Sequence, residues 1–180
     1  MPAPLRHGAY LRVALGGGGG RIAETLSGSS LSDTITGGGV AVDVAVGGAL
    51  SPVFTIGGQF AFQQLSKPTL KASNGTEIKA NNDVSIGLLG AVFEGYATAT
   101  SGFHFSGTLG AARLSISDSR GGTIDSMGGL GYALGIGYDF AVSKTWYVGV
   151  AARYIGAHTS ADDSKQDARS FSVLVDALNF

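Results

Sequence analysis

Five polar residues interrupt otherwise apolar stretches of the sequence and could do chemistry there. They are Arg12, Asp43, His104, Asp139 and Arg153. Opposite charges in apolar surroundings pair with one another, because an isolated buried charge is costly. Such a set predicts either a hydrogen-bonded plug or, if water reaches it, a gated solute path or a proton-linked switch. The elements that position these side chains decide between the two.

A second candidate lies near the end of the chain, where a histidine, hydroxyls and acids follow one another. Nucleophilic catalysis needs a hydroxyl and a base within hydrogen-bond reach, with the base oriented by a third group. No recognisable catalytic motif surrounds this set, and we expect no cofactor. The pair Asp162–Asp163 and the acids Asp118 and Asp125 could bind divalent cations at the level of the lipopolysaccharide, although solvated loop charges are the simpler interpretation. The residues are His158, Thr159, Ser160, Asp162 and Asp163, with Asp118 and Asp125 elsewhere.

Composition excludes several classes of protein. The chain has 180 residues, of which 30 are Gly, 44% are hydrophobic and only 14% are charged. A typical globular chain carries about 25% charged residues, and disorder needs low hydrophobicity. Lys and Arg (12) balance Asp and Glu (13), which argues against a nucleic-acid partner. The absence of cysteine excludes disulfides, thiol catalysis and Cys-zinc sites.

The dominant pattern has period two, which is typical of strands because successive side chains point to opposite faces. The alternation is clearest where Val40, Val42, Val44 and Val46 are separated by small or polar residues. No stretch shows convincing helical periodicity or the length of an apolar membrane helix. The pattern predicts eight strands at 8–16, 40–50, 53–63, 84–93, 102–113, 130–140, 146–156 and 169–180.

The identity of the inner face separates two kinds of barrel. In a soluble barrel the small-residue face would meet water, but it carries too few charges for that. In a membrane barrel the large apolar face meets lipid and the small face fills a narrow lumen. The fold predicted is therefore an all-β, eight-stranded antiparallel up-and-down transmembrane β-barrel. The apolar series assigned to lipid include Leu11/Val13/Leu15, Val84/Ile86/Leu88/Val92, Phe103/Phe105/Leu109 and Phe171/Val173/Val175.

Connections and aromatics fit the same architecture. The connections alternate between long and short, as they do between the external and periplasmic sides of outer-membrane barrels. Aromatic residues fall near the two ends of the strands, where rings favour the lipid–water interface. The girdle at the short-turn side is predicted to contain Phe54, Phe103, Phe105, Tyr138, Phe140 and Trp146. The girdle at the long-loop side is predicted to contain Phe60, Phe62, Tyr132, Tyr154 and Phe171.

With these strands and girdles, the whole chain resembles the small eight-stranded outer-membrane barrels of Gram-negative bacteria, the OmpA/OmpX type. The terminal Phe180 is similar to the C-terminal aromatic that the barrel-assembly machinery recognises in that family. The resemblance implies a monomer in the cell outer membrane, in contact with outer-membrane lipids and lipopolysaccharide, with both termini periplasmic. Residues 1–180 then form one domain, in which 1–7 is a periplasmic tail.

Three details disturb the simple pattern. Counting back in twos from Phe180 gives Asp176, whereas the apolar series runs through Phe171, so a bulge near 176–178 or a lumen-facing end is needed. In the fifth strand Arg113 shares the parity of Phe105, which predicts a slip near 111–114. The run Gly16–Gly20 lacks the features of a phosphate loop and is interpreted as a flexible exit from the first strand.

The function expected is a structural or surface-interaction role, with a lumen plugged by polar side chains. The first alternative is a narrow channel for small or hydrophobic solutes, which requires a continuous cavity past the lumen charges. The second is a lipid A-modifying enzyme, because some barrels of this type carry Ser/His/acid sites. The third is a soluble lipocalin-type binder, in which the apolar faces would point inward.

Overall fold

The computed structural model describes residues 6–26, 32–71, 76–80, 82–117, 122–161 and 164–180. In these residues no helix is long and apolar enough to cross a membrane. The described segments form nine strands. They are β1 (Ala9–Leu26), β2 (Ser32–Ser51), β3 (Phe54–Lys71), β4 (Glu77–Lys79), β5 (Asp83–Tyr96), β6 (Phe103–Ser117), β7 (Thr123–Ala141), β8 (Trp146–Ala161) and β9 (Ser164–Asn179).

Eight of these strands close into a barrel. Each pairs antiparallel with its neighbours in the order β2-β1-β9-β8-β7-β6-β5-β3, and pairing between β2 and β3 completes the ring. Within the described residues, closure leaves none of these eight strands at an edge of the sheet, where water or lipid would meet unpaired backbone groups. The short β4 folds back on the far end of β3 as a small hairpin. The predicted eight-stranded, all-β antiparallel barrel is confirmed.

The strands are longer than the sequence pattern predicts, and most of the extra length lies on the long-loop side. β1 runs to Leu26 instead of ending at 16, and β2 begins at Ser32 instead of 40. About ten residues cross a bilayer, so a strand of 18 residues at a tilt of about 40° rises about 45 Å, well above the apolar band of about 25 Å. Much of what the sequence assigns to long loops is therefore barrel wall outside the membrane span.

Most predicted apolar faces point outward. Leu109 and Leu130 are 68% and 76% exposed, and the Val, Leu and Phe series of β1, β2, β7 and β9 face the same way. This outward band contradicts the soluble lipocalin alternative. The prediction was wrong for β5, whose residues Val84, Ile86, Leu88 and Val92 are buried inside the barrel. Alternation identified two faces there, but the inner face is the more apolar of the two.

The slip predicted near 111–114 is absent. β6 keeps its register with β5 through this stretch, so Arg113 stays on the outer face while Leu114 and Ile116 point inward. In β9 no bulge occurs near 176–178 either, because its register with β1 and β8 is continuous. The lumen-facing end is the correct alternative, and Asp176 and Leu178 are buried inside.

The glycine run is part of the wall and not a flexible exit. Three successive residues of the run pair with three successive glycines of β2: Gly18 with Gly39, Gly19 with Gly38, and Gly20 with Gly37. A Cβ added at Gly18 would lie well under 3.0 Å from the carbonyl oxygen of Phe171 in β9. The backbones of β1 and β9 approach too closely there for any side chain, which requires glycine at that position.

Candidate functional site

The half of the lumen nearer the short turns is organised around Arg12 of β1. Its Nη1 donates to Oε1 of Glu94 in β5 at 2.5 Å, across 82 residues of sequence. Its Nη2 donates to Oδ2 of Asp139 in β7 at 3.0 Å and to the Tyr96 hydroxyl at 3.1 Å. A third carboxylate, that of Asp176 in β9, lies 3.8 Å from Nε. One guanidinium therefore binds two carboxylates and lies beside a third inside the barrel, where unpaired charges would be costly.

His104 of β6 completes this network. Its Nδ1 lies 3.1 Å from the carbonyl oxygen of Gly102, and its Nε2 lies 3.3 Å from Nη1 of Arg12. Since Arg12 can only donate, Nε2 accepts and Nδ1 carries the proton. The carboxylate of Asp139 also lies 3.5 Å from Nδ1. Oδ2 of Asp139 also accepts a hydrogen bond from the Tyr96 hydroxyl at 3.2 Å.

Below the Arg12 network, the barrel end is closed by Arg6, which the sequence assigns to the tail. Arg6 is buried and donates to the carbonyl oxygens of Ser101 at 2.7 Å and Ala99 at 3.4 Å. Its guanidinium carbon lies 3.5 Å from the ring centroid of Tyr96, a cation–π distance. The Arg6 side chain therefore fills the short-turn end of the lumen.

A second polar chain crosses the lumen above Arg12. Arg153 of β8 pairs with Asp43 of β2, and its Nε donates to Oγ of Ser172 in β9 at 3.1 Å. Asp43 accepts from Nε2 of Gln59 in β3 at 3.1 Å, and Gln59 accepts from the hydroxyl of Thr108 in β6. The two networks together contain a side chain from each of the eight barrel strands. They join the wall across its full width.

A cavity of about 30 Å³ separates the two networks. Arg12, Asp43, Glu94, Arg153 and Asp176 contribute to its lining. A site needs about 10–15 Å³ to hold a water molecule, so this one has room for about two. A cavity of this size can hold water beside the charged groups but is too small to pass a solute.

The other half of the lumen is filled by an apolar core that the sequence analysis did not predict. Leu65, Ile86, Leu88 and Ile155 are completely buried there. The core begins level with the outer aromatics, since Ile155 follows Tyr154 in β8, and continues into the extended wall. The lumen is therefore plugged twice, by polar side chains near the short turns and by apolar side chains toward the long loops. The remaining core residues are Ile22, Ala61, Val84, Ala112, Leu114, Ala133, Ala157 and Ala168.

The predicted interface aromatics all lie on strand faces that point away from the lumen. Phe60 and Phe62 stack with ring centroids 6.4 Å apart, and Tyr138 and Phe140 lie 4.7 Å apart. The exposed members are Phe54, Phe60, Phe105, Tyr132, Tyr138, Phe140, Trp146 and Phe171, and the half-buried ones are Phe62, Phe103 and Tyr154. Phe180, predicted as the assembly signal, packs at the barrel end between Tyr10 (5.7 Å) and Tyr147 (5.9 Å).

Of the set considered for catalysis, the structure describes only the side chains of His158 and Thr159, and these lie on opposite faces of β8. His158 pairs instead with Asp167 of β9 on the exposed outer wall. Asp118, Asp162 and Asp163 lie outside the described residues, as do the side chains of Ser160 and Asp125. Among the described residues no group of three or more His, Asp or Glu could hold a metal ion.

Sequence reasoning missed three members of the Arg12 network, namely Glu94, Tyr96 and Asp176. Glu94 and Tyr96 share the parity of Val92, a face that was assigned to lipid. An acid on a supposed lipid face was the signal that this face points inward, because charges there are strongly disfavoured. In β9 the signal was different, because Asp176 lies on the face opposite Phe171 and Val173, as the lumen-facing end considered above requires.

The closed ring, the outward apolar band and the plugged interior define a class: the chain folds as a small eight-stranded outer-membrane β-barrel. No family model and no curated protein matches the sequence. Solved structures share the fold at low identity. Neisserial surface protein A (NspA) aligns with a TM-score of 0.63 at 12% identity, covering 96% of this chain and 98% of that one.

Two further solved barrels are similar. The outer membrane protein OprG from Pseudomonas aeruginosa gives a TM-score of 0.59 at 13% identity and covers 97% of each chain. The outer membrane protein AlkL, solved in lipid bilayers, gives 0.51 at 11% identity, covering 99% of this chain and 92% of that one. The likeness extends over the whole barrel and concerns the fold.

Proposed function

We propose that this protein is an integral barrel of a bacterial outer membrane with a structural or surface-interaction role. The observation that carries the proposal is the doubly closed lumen beneath a wall that rises above the apolar band. The lumen is closed by the Arg12 network and by the apolar core that contains Leu88. Such a barrel anchors the protein in the membrane and exposes the external part of its wall to the surroundings. It does not conduct through its centre.

The channel alternative makes the opposite prediction, and electrical recording separates the two. We expect the refolded protein in planar bilayers to show no steady conductance at neutral pH. Asp43→Asn, which removes one charge beside the cavity, should not change that result, because the apolar core still closes the lumen. Steady conductance that changes with this substitution would favour the channel.

Orientation can be tested because the chain contains no cysteine. We propose that both termini and the short turns are periplasmic, so Lys79→Cys on β4 should react with a membrane-impermeant maleimide on intact cells. Ser143→Cys, in the turn between β7 and β8, should react only after the outer membrane is permeabilised. Labelling in the reverse pattern would invert the orientation.

Enzymatic activity is not part of the proposal. His158 engages Asp167 on the outer wall, and the interior His104 is enclosed by Arg12 and Asp139. We expect His158→Ala and Ser160→Ala to leave the lipid A species of the host membrane unchanged by mass spectrometry. A lipid A species that disappears with either substitution would show a lipid-modifying enzyme.

We propose that Phe180 serves in assembly as well as in packing, with the barrel-assembly machinery as the partner. Phe180→Ala should lower the yield of folded protein in the outer membrane far more than it lowers folding into detergent in vitro. An equal loss in both settings would reduce Phe180 to its contacts with Tyr10 and Tyr147. Cross-linking in intact membranes should show a monomer.

A further inference from the structure

Arg113 is a cation on the outer wall that forms no ion pair with the carboxylates whose side chains the structure describes. It is exposed on β6, and its Nη2 donates to the hydroxyl of Ser126 at 2.9 Å. Outward neighbours along β6, such as Leu109, are strongly exposed and apolar. A guanidinium in that setting favours an anionic partner from the membrane.

The height of Arg113 on the barrel indicates which part of the membrane it meets. Arg113 pairs with Gly87 of β5, and Gly87 pairs with Phe62 of β3, so the three lie in one row across the sheet. Phe62 belongs to the outer aromatic girdle, the level at which lipid phosphates begin. A charge on the lipid face costs little at this level but several kcal/mol at about the bilayer midplane.

The wall beside Arg113 is a groove of about 310 Å³. Phe60 and Phe62 form one side, Leu89 and Ala111 lie below, and Gly87 forms the floor because it has no side chain. Ser85 and Ser115 line the end nearest the long loops. The groove is thus apolar toward the membrane centre and polar toward the outside, and its volume is at the lower end for small-molecule sites.

We propose that this groove binds a phosphorylated glycolipid of the outer leaflet, of the lipid A class. One acyl chain lies over Gly87 between Phe60 and Leu89, and a phosphate accepts hydrogen bonds from the guanidinium of Arg113. Guanidinium matches phosphate in both charge and geometry. The inference rests on the proposed location in the outer membrane and assigns a site to the expected contact with lipopolysaccharide.

The test uses the full chain folded in detergent, titrated with bisphosphorylated lipid A and analysed by native mass spectrometry. We expect one lipid A to remain bound to the wild-type barrel and dephosphorylated lipid A to bind at least tenfold more weakly, since a charged hydrogen bond is lost. Excess inorganic phosphate should not displace the lipid. Equal retention of both lipids, or displacement by free phosphate, would overturn the proposal.

Two variants examine the two halves of the groove. Arg113→Gln removes the cation, and Gly87→Leu fills the floor, where an added Cβ would meet its nearest neighbours at 3.9 Å without a clash. Each should weaken lipid A retention by about tenfold. Retention at the wild-type level in both would overturn the site.

Matched controls isolate the groove from general changes of charge and surface. Lys79→Gln removes one charge on β4, and Gly107→Leu adds the same side chain on the outer face of β6, where nothing lies within 4 Å. Both should retain lipid A as the wild type does, and a loss equal to that of Arg113→Gln would contradict the proposal. A barrel that folds in detergent but does not select lipid A disproves this site alone, whereas failure to fold in lipid or detergent disproves the membrane function.

Discussion

At the residue scale, the polar interior is unbalanced around Arg12. Three carboxylates surround one guanidinium, yet they are held very differently. Glu94 and Asp139 lie within hydrogen-bond distance of Arg12, whereas Asp176 is 3.8 Å away. Neither carboxylate oxygen of Asp176 has a hydrogen-bond partner among the described side chains. Glu94 and Asp139 should therefore stabilise the folded barrel, whereas the charge of Asp176 should contribute little or destabilise it.

Asp139→Asn should lower the free energy of unfolding by about 2 kcal/mol, because Arg12, Tyr96 and His104 all lose a charged partner. Asp176→Asn should change it by less than about 1 kcal/mol, or raise it, because a poorly compensated negative charge is removed. Urea unfolding in lipid vesicles, followed by the fluorescence of Trp146, measures both. Equal destabilisation by the two substitutions would contradict this account of the network.

At the element scale, the contact of β1 with β9 depends on glycines that alternate in role. Gly16 and Gly18 point inward, where an added Cβ would overlap the β9 backbone. Gly17 points outward, and the nearest neighbour of an added Cβ would be the carbonyl oxygen of Gly39 at 3.4 Å.

Nearer the long loops, Arg21 of β1 lies directly opposite Arg169 of β9, and both are exposed.

Gly18→Ala should reduce the yield of folded barrel severely, because the β1 and β9 backbones must separate to admit the methyl group. Gly17→Ala, one position away on the same strand, should fold nearly as well as the wild type. The fraction that migrates as the compact form on an unheated gel measures the difference. Similar yields for both variants would mean that the close approach of β1 to β9 is not required.

Arg21→Glu should stabilise the barrel by about 0.5 kcal/mol, because it turns a like-charged cross-strand pair into an opposite one. The gain should shrink at 1 M salt, where exposed charges are screened. Arg21→Gln, which removes only the repulsion, should give a smaller gain. Thermal unfolding in detergent at low and high salt tests this, and a stability loss at low salt would contradict it.

At the scale of the whole molecule, the outward apolar band and the closed interior make folding dependent on a membrane-like solvent. The band contains residues such as Leu109 and Leu130 that no described part of the chain covers. Water cannot compensate so large an exposed apolar surface, whereas lipid or detergent can.

We therefore expect unfolded or aggregated protein in plain buffer and a β-sheet circular dichroism spectrum only after micelles or vesicles are added. The folded form should migrate as a compact band that heating converts to the unfolded position. Urea-solubilised protein kept without detergent provides the control. A monodisperse folded protein in plain buffer would contradict the membrane barrel.

The sequence predicted the strands and most of their faces because alternation is a local property. Val44 and Asp43 must point to opposite sides of any strand that contains them. The same rule does not say which side is the lumen. In β5 the inner side, with Ile86 and Leu88, is the more apolar, so composition indicated the wrong face. The prediction that Gly16–Gly20 is a flexible exit from the first strand was also wrong. Glycine is used both in flexible segments and where two backbones pack closely, and the sequence does not distinguish the two uses.

The sequence by itself determined an eight-stranded barrel with an outward apolar face and a small set of inward charges. It also assigned Arg12, Asp43, His104, Asp139 and Arg153 to the inside. Only the tertiary structure decided that Arg12 meets Glu94, that an apolar core closes the other half, and that Arg113 lies in an outer groove. Those contacts join strands distant along the chain, and barrel closure and register, which no local pattern encodes, bring them together.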